Sequence, residues 1–248
     1  MLDGLLDSRR WTVTFGEMDS LWEGFFFTLQ VVIAGLVLAL VLGAILGVFS
    51  TTRSRILRII SRIYVEFYQN TPLPVQVFFM YMAGPQLLQS ITGASSPVRI
   101  SSFTLGVLGV GLYHAAYISE VIRTGIESVP HGQMESALSQ GFSRMQAYVY
   151  IILPQTFKVI LPPLCNQALN LVKNTSVLAL IAGGDLMYNA DNFVSTWGYL
   201  QGYIMACVLY FIICFPLAIL MQWLEKRSKR RPHAKEMPSL SPVAPKEA

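Results

Sequence analysis

Five stretches of this sequence run for twenty residues or more with almost no charged side chain: 24–52, 67–98, 100–119, 159–184 and 192–224. Lys173 is the one charge among them. A helix that crosses the hydrocarbon of a bilayer needs about 20 mostly apolar residues at about 1.5 Å each. Composition agrees, with 53% hydrophobic and 13% charged residues, where soluble domains carry about 25% charged. That balance excludes an ordinary soluble enzyme, and low charge with high hydrophobicity excludes disorder for most of the chain. The fold class predicted is all-α: a polytopic membrane protein of five transmembrane helices.

Predicted spans cover about 25–49, 63–83, 102–123, 157–182 and 198–224 within a membrane domain of residues 24–227. Residues 1–23 read as an external segment, residues 84–97 and 183–197 as external loops, and residues 228–248 as a disordered tail. The first 20 residues hold four acids and no apolar signal region, so the first span is expected to stay as an anchor. Cys165, Cys207 and Cys214 lack metal-ligand spacing and read as small core residues.

Orientation follows from the basic residues. Of the 18 Lys and Arg, fourteen fall in three segments: Arg53 to Arg62, Arg123 to Lys158, and Lys226 to Lys246. The opposite segments hold Arg9, Arg10 and Arg99. Positive residues mark cytoplasmic loops, which puts the N-terminus outside and the C-terminus inside. Because these runs abut apolar spans, membrane topology explains them and a nucleic-acid surface is not needed.

Local features refine the outline. Gly43 and Gly47, with Gly35 further back, make a small-xxx-small stripe on span one that permits close helix approach. Pro72 and Pro74 should kink span two where it faces protein or a watery cavity. Between spans three and four, the segment 130–154 is too polar and short to cross. Its Leu138, Phe142, Met145 and Val149 recur at helical spacing, which predicts one amphipathic helix on the cytoplasmic side.

Charged groups inside spans mark function by default. Glu66, Glu120 and Lys173 are such groups, with Gln69, Asn70, His114, Tyr117, Asn174, Thr175 and Ser176 beside them. Glu120 and Arg123 lie one turn apart and can pair. Two readings stay open for the set. It lines a path for a zwitterion, which needs both acceptors and donors, or it is a buried gate with Lys173 paired to Glu66 or Glu120. His114 could face the path, but a lone membrane histidine is more often a hydrogen-bonded packing residue. No cluster has metal spacing and no phosphate-binding glycine loop is present, so energy must come from another subunit. A membrane enzyme would need a nucleophile beside a base, which Glu120, His114 and Tyr117 do not supply. A passive channel fits the span count and the polar midplane.

The stretch Gly132-Gln133, then Glu135-Ser136-Ala137, three residues, Gly141, nine residues, and Ile151, Leu153 and Pro154, resembles the cytoplasmic loop signature of ABC importer permeases. It departs at Ser136, where Ala is usual; Ser is small enough for docking to survive. Asn70-Thr71-Pro72-Leu73 with Gln76, Leu153-Pro154-Gln155 and Lys173-Asn174-Thr175-Ser176 resemble the polar amino acid branch of that family. The resemblance covers about residues 20–227. It implies a permease of the bacterial inner membrane, without cofactor, carrying a polar amino acid. It implies cytoplasmic ATPase subunits docked on the loop, a second permease chain (identical or related), an external solute-binding protein, and membrane lipids around the bundle.

Overall fold

The structure is a computed structural model that describes residues 4–96 and 98–229. Among these residues every regular element is helical. The chain runs through α1 (Ser8–Gly16), α2 (Met18–Thr51), α3 (Arg55–Gln69), α4 (Leu73–Thr92), α5 (Ser102–Glu127), α6 (His131–Ser139) and α7 (Arg144–Ala147). A π-helical segment (Tyr148–Ile152), α8 (Leu153–Asn174), a 3-10 segment (Thr175–Ile181), α9 (Leu186–Trp197) and α10 (Gln201–Lys229) follow. The expected disordered tail lies outside the described residues from 230 on, while 228 and 229 continue α10.

Among the described residues, four helical rods are long and apolar enough to cross a membrane: Met18–Thr51, Ser102–Glu127, Arg144–Ile181 and Gln201–Arg227. Their partners set their directions. Gly35 meets Val110, Gly43 meets Ile118 and Gly47 meets Ile122, so α2 and α5 run parallel. A Cβ built on Gly43 would lie 2.8 Å from Ile118 Cβ and 2.9 Å from Ala115 O. The glycine stripe therefore does what its spacing predicts, letting two backbones approach where no side chain fits. Against α5, α8 runs antiparallel, with Ile160 at Gly125 and Asn174 at His114. The core between them is built from Val31, Ala39, Val110, Ile118, Leu171, Leu178 and Leu186.

The second predicted span is two helices. The break falls at Asn70–Pro72, where a proline ring cannot continue the amide ladder. Gln76, 6% exposed, covers the gap. Its Nε2 shares two N–H groups among Tyr68 O at 3.2 Å, Thr71 O at 3.1 Å and Thr71 Oγ1 at 2.5 Å. One amide thus satisfies carbonyls that the break has freed. Beyond it, α4 continues through Gly84 and Pro85 to Thr92, where Gly93 ends it in the left-handed conformation. The external loop expected from Gly84 is correspondingly shorter.

The segment 130–154 corrects the expected single helix. α6 stops at Ser139, and Gly141 takes φ +86°. Phe142 N–H donates to Ala137 O at 3.1 Å and Gly141 N–H to Leu138 O at 3.0 Å. That pair is the Schellman stop, whose left-handed position favours glycine. Ser143 then starts α7 by a reciprocal cap with Gln146. The apolar stripe is consequently broken up: Leu138 on α6, Met145 on α7 and Val149 in the π-helical segment are exposed, while Ala137 and Ala147 are buried. Pro154 does not end the helix either. The turn before it widens to π geometry, with Leu153 N–H donating to Tyr148 O, and the rod runs unbroken to Ile181.

The external loop expected at 183–197 is largely α9, N-capped by Asp185. Of the cysteines, Cys207 is exposed on the chain and is not a core residue; Cys165 and Cys214 are partly buried.

Candidate functional site

Three polar groupings emerge. The first lies at the middle of α5. His114 is 1% exposed. Its Nδ1 is 3.1 Å from Gln167 Oε1 and its Nε2 is 3.0 Å from Asn174 Nδ2. Both contacts are satisfied when Nδ1 carries the proton and Nε2 accepts from the amide. The ring thus locks α5 to α8 inside the chain. Next to it, the Tyr113 and Tyr117 hydroxyls are 2.9 Å apart. Of the polar run that follows, Thr175 is buried and donates to Val172 O, and Ser176 donates to Lys173 O. Lys173 itself is exposed and makes no ion pair among the described residues. It sits level with His114, since its neighbour Asn174 bonds that ring.

The second grouping lies at the end of the bundle where α2 and α5 finish. Arg123 Nε donates to Glu120 at 2.6 Å, and Arg123 Nη1 to Glu127 at 2.6 Å. The pairing expected from spacing is present, with a second carboxylate added. Glu66 lies 3.7 Å from Arg62 and accepts from Asn70 Nδ2 at 3.0 Å. Gln69 Nε2 reaches Ala116 O at 3.5 Å. Glu66 and Glu120 line one cavity of about 550 Å³ with Arg55, Arg58, Arg62 and Arg123. Glu66 and Glu120 are therefore brought together, but Lys173 is not among the residues that line their cavity. Neither carboxylate pairs with Lys173; arginines on their own helices hold both.

The loop residues form the third grouping. Gly132, Gln133, Glu135 and Ser136 are exposed on α6, and Ala137 packs inward. Gln133 N–H closes the first turn on Pro130 O at 3.0 Å. Ile152 is buried next to half-buried Ile151, while Leu153 and Pro154 face outward.

Sequence reasoning passed over a further polar node at the opposite end. Asp185 is fully buried. Its Oδ2 caps α9 through Met187 N–H at 3.0 Å, while Oδ1 has no hydrogen-bond partner among the described residues. Burial pushes this carboxyl up to about 7, against three backbone N–H groups that lower it. Thr28 Oγ1 accepts from Leu186 N–H at 3.0 Å and ties α2 to the same corner. The readable signal was an acid two residues after Gly183, just before an amphipathic stretch.

Comparison with known proteins bears on these groupings. Residues 35–230 match the family model described as binding-protein-dependent transport system inner membrane component. The chain belongs to this family. Its members are transport components, so this permease is a transport subunit and not an enzyme. It is 38% identical over 220 residues to the probable glutamine ABC transporter permease protein GlnM of Bacillus subtilis, covering 88% of this chain and 98% of that one. It is 32% identical to the glutamate/aspartate import permease protein GltJ of Escherichia coli (strain K12), covering 86% and 88%. Among solved structures, an amino acid ABC transporter determined with histidines is 27% identical, with TM-score 0.77 over 87% of this chain and 97% of that one. The inward-facing MetNI methionine ABC transporter shares the fold, at TM-score 0.63 and 17% identity.

Proposed function

We propose that this permease is the membrane subunit of an ATP-driven importer that carries a polar L-amino acid, or a close derivative, into the cytoplasm. The observation that carries the reading is the loop geometry. A short helix presents Gly132, Gln133, Glu135 and Ser136 outward and is stopped by the left-handed Gly141. An exposed, rigidly ended helix is what a groove on another protein can receive. Cytoplasmic ATPase subunits are the partner that this family implies, with a solute-binding protein outside and a second permease chain completing the pathway. Glutamine and glutamate/aspartate permeases among the relatives support a polar amino acid as cargo.

The permease crosses the membrane five times, with its N-terminus outside. Parallel α2 and α5 need one return crossing between them, and α3 with α4 supplies it despite the break at Pro72. Residues 24–227 make up the membrane domain, and the loop residues of 130–154 through Ile151, Leu153 and Pro154 face the ATPase.

Lys173 belongs to the substrate path. A cation at mid-span, exposed on one chain, is costly against lipid and faces either water or another chain. Tyr117, Gln69 and Asn70 stand on helices that can share the path. Asn174, Thr175 and His114 hold its wall, Ser176 flanks it, and Glu66 and Glu120 belong to the gate at its inner end.

Affinity purification of the permease from its own membranes tests the reading. We expect an ATPase to co-purify, and Gly141→Asp to lose it while the chain stays in the membrane. Co-purification of an ATPase at full yield with Gly141→Asp argues against the loop as its dock. A chain that purifies alone in several mild detergents argues against the importer itself.

A further inference from the structure

We infer that the cavity between α2, α3 and α5 is a binding site for the phosphate-bearing headgroup of an anionic phospholipid. The wheel of α3 has three faces. Ser61 and Val65 are buried, and Ser61 Oγ donates to Leu46 O at 2.9 Å, which seats the helix on α2. Arg55, Arg58 and Arg62, at spacings of three and four, share a second face and line the cavity of about 550 Å³. Ile56, Ile60, Ile63 and Phe67 share the third, and all are at least half exposed. Ile59, which also lines the cavity, stands between the basic and the apolar face. A basic and an apolar face on one helix are the pattern of a helix at a membrane surface.

Charge within the cavity is unevenly spoken for. Arg123 is committed to Glu120 and Glu127, both at 2.6 Å. Glu66 is held by Arg62 at 3.7 Å, a loose contact to a side chain 81% exposed. Arg55 and Arg58 make no ion pair among the described residues. Two free guanidinium groups thus face a cavity whose three carboxylates already have partners. Ser50 adds a hydroxyl to the rim. A phosphodiester accepts bidentate donors from arginine. Acyl chains of a bound lipid would lie along the isoleucine stripe next to it, an arrangement that a free anion does not need. A basic pocket between membrane helices, on the side where basic residues concentrate, is suited to such a headgroup.

The test uses the purified full chain with whatever subunits accompany it, placed in nanodiscs of phosphatidylcholine with a trace of fluorescent phosphatidylglycerol. We expect retained phosphatidylglycerol and a roughly thirtyfold weaker affinity in the Arg55→Ala, Arg58→Ala double variant, the worth of two cations at an anionic surface. Arg55→Lys with Arg58→Lys should keep most of the binding, which guards against misfolding as the cause. Lys226→Ala, at another basic segment, should leave the affinity unchanged. Equal retention by wild type and the double alanine variant overturns the proposal. Displacement of the lipid by millimolar inorganic phosphate overturns it in favour of a free-anion site. Displacement by glutamate overturns it in favour of a release site for cargo.

Discussion

Two side chains carry opposite lessons at the residue scale. Lys173 is charged, at mid-span and without an ion pair among the described residues, so its worth lies in what the single chain lacks. A hydrogen bond to a charged group contributes about 1.5–3 kcal/mol. Lys173→Ala should therefore lower uptake about tenfold or more, or uncouple ATP hydrolysis from transport. Uptake assays in membrane vesicles with parallel ATPase rates distinguish these, and wild-type values for both would make Lys173 structural. Asp185 is the reverse case, a buried carboxyl inside the chain. Its folded pKa of about 7 lies above its ordinary 3.8. Between those values the folded chain binds more protons than the unfolded one, so stability falls as pH rises through this window and levels off above it. Asp185→Asn keeps a capping side chain but cannot ionise. Thermal unfolding in detergent from pH 4 to 8 should therefore be flatter for the variant. Identical pH profiles would show that Asp185 does not titrate with folding.

Glycine and proline decide at the scale of elements what hydrophobic runs leave open. Gly43→Val would put a branched side chain where Ile118 Cβ is already 2.8 Å from an added Cβ. Overpacking of this kind costs about 1–3 kcal/mol. We expect a lower melting temperature and poorer membrane yield, whereas Gly16→Ala, with nothing near it, should change neither. An unchanged melting temperature for Gly43→Val would mean that α2 and α5 can move apart without loss. Apolar length made four of the rods legible in the sequence, and the glycine stripe made their closest contact legible. Helix ends were less legible, because they rest on single backbone positions. A period count over Leu138, Phe142, Met145 and Val149 cannot see the left-handed Gly141, although Ser143 and Gln146 at cap spacing were in view. Pro85 stands inside α4, and Pro154 stands inside a rod because the turn before it widens to π geometry. At the candidate site, the Glu120–Arg123 pair was legible from spacing. Glu66 and Arg62 stand four apart on one helix, so their contact was open to the same spacing argument. The His114–Asn174 lock was not, since it joins residues sixty apart on two helices.

For the whole molecule, the decisive quantity is how little of it one chain buries. In the most apolar windows of Arg144–Ile181 and of α10, 17% of residues are buried, against 56% for α5. α5 is thus a central post, and the others offer their surfaces to lipid or to a second chain. The direction of that post fixes the sidedness of every grouping. If α5 descends toward the cytoplasm, α1 stands outside, and α6 with the arginine cavity stands inside. Replacing Cys165, Cys207 and Cys214 by Ser gives a background for single labels. A membrane-impermeant maleimide applied to intact cells should then label Ser8→Cys and leave Ser139→Cys untouched until the cells are opened. Both positions are exposed on the chain, so a difference between them reports the membrane and not burial. Labelling of Ser139→Cys in intact cells would invert the topology. It would put the α6 loop where no ATP is hydrolysed, and with it the docking role of Gly141 and the headgroup role of Arg55 and Arg58 would fall together.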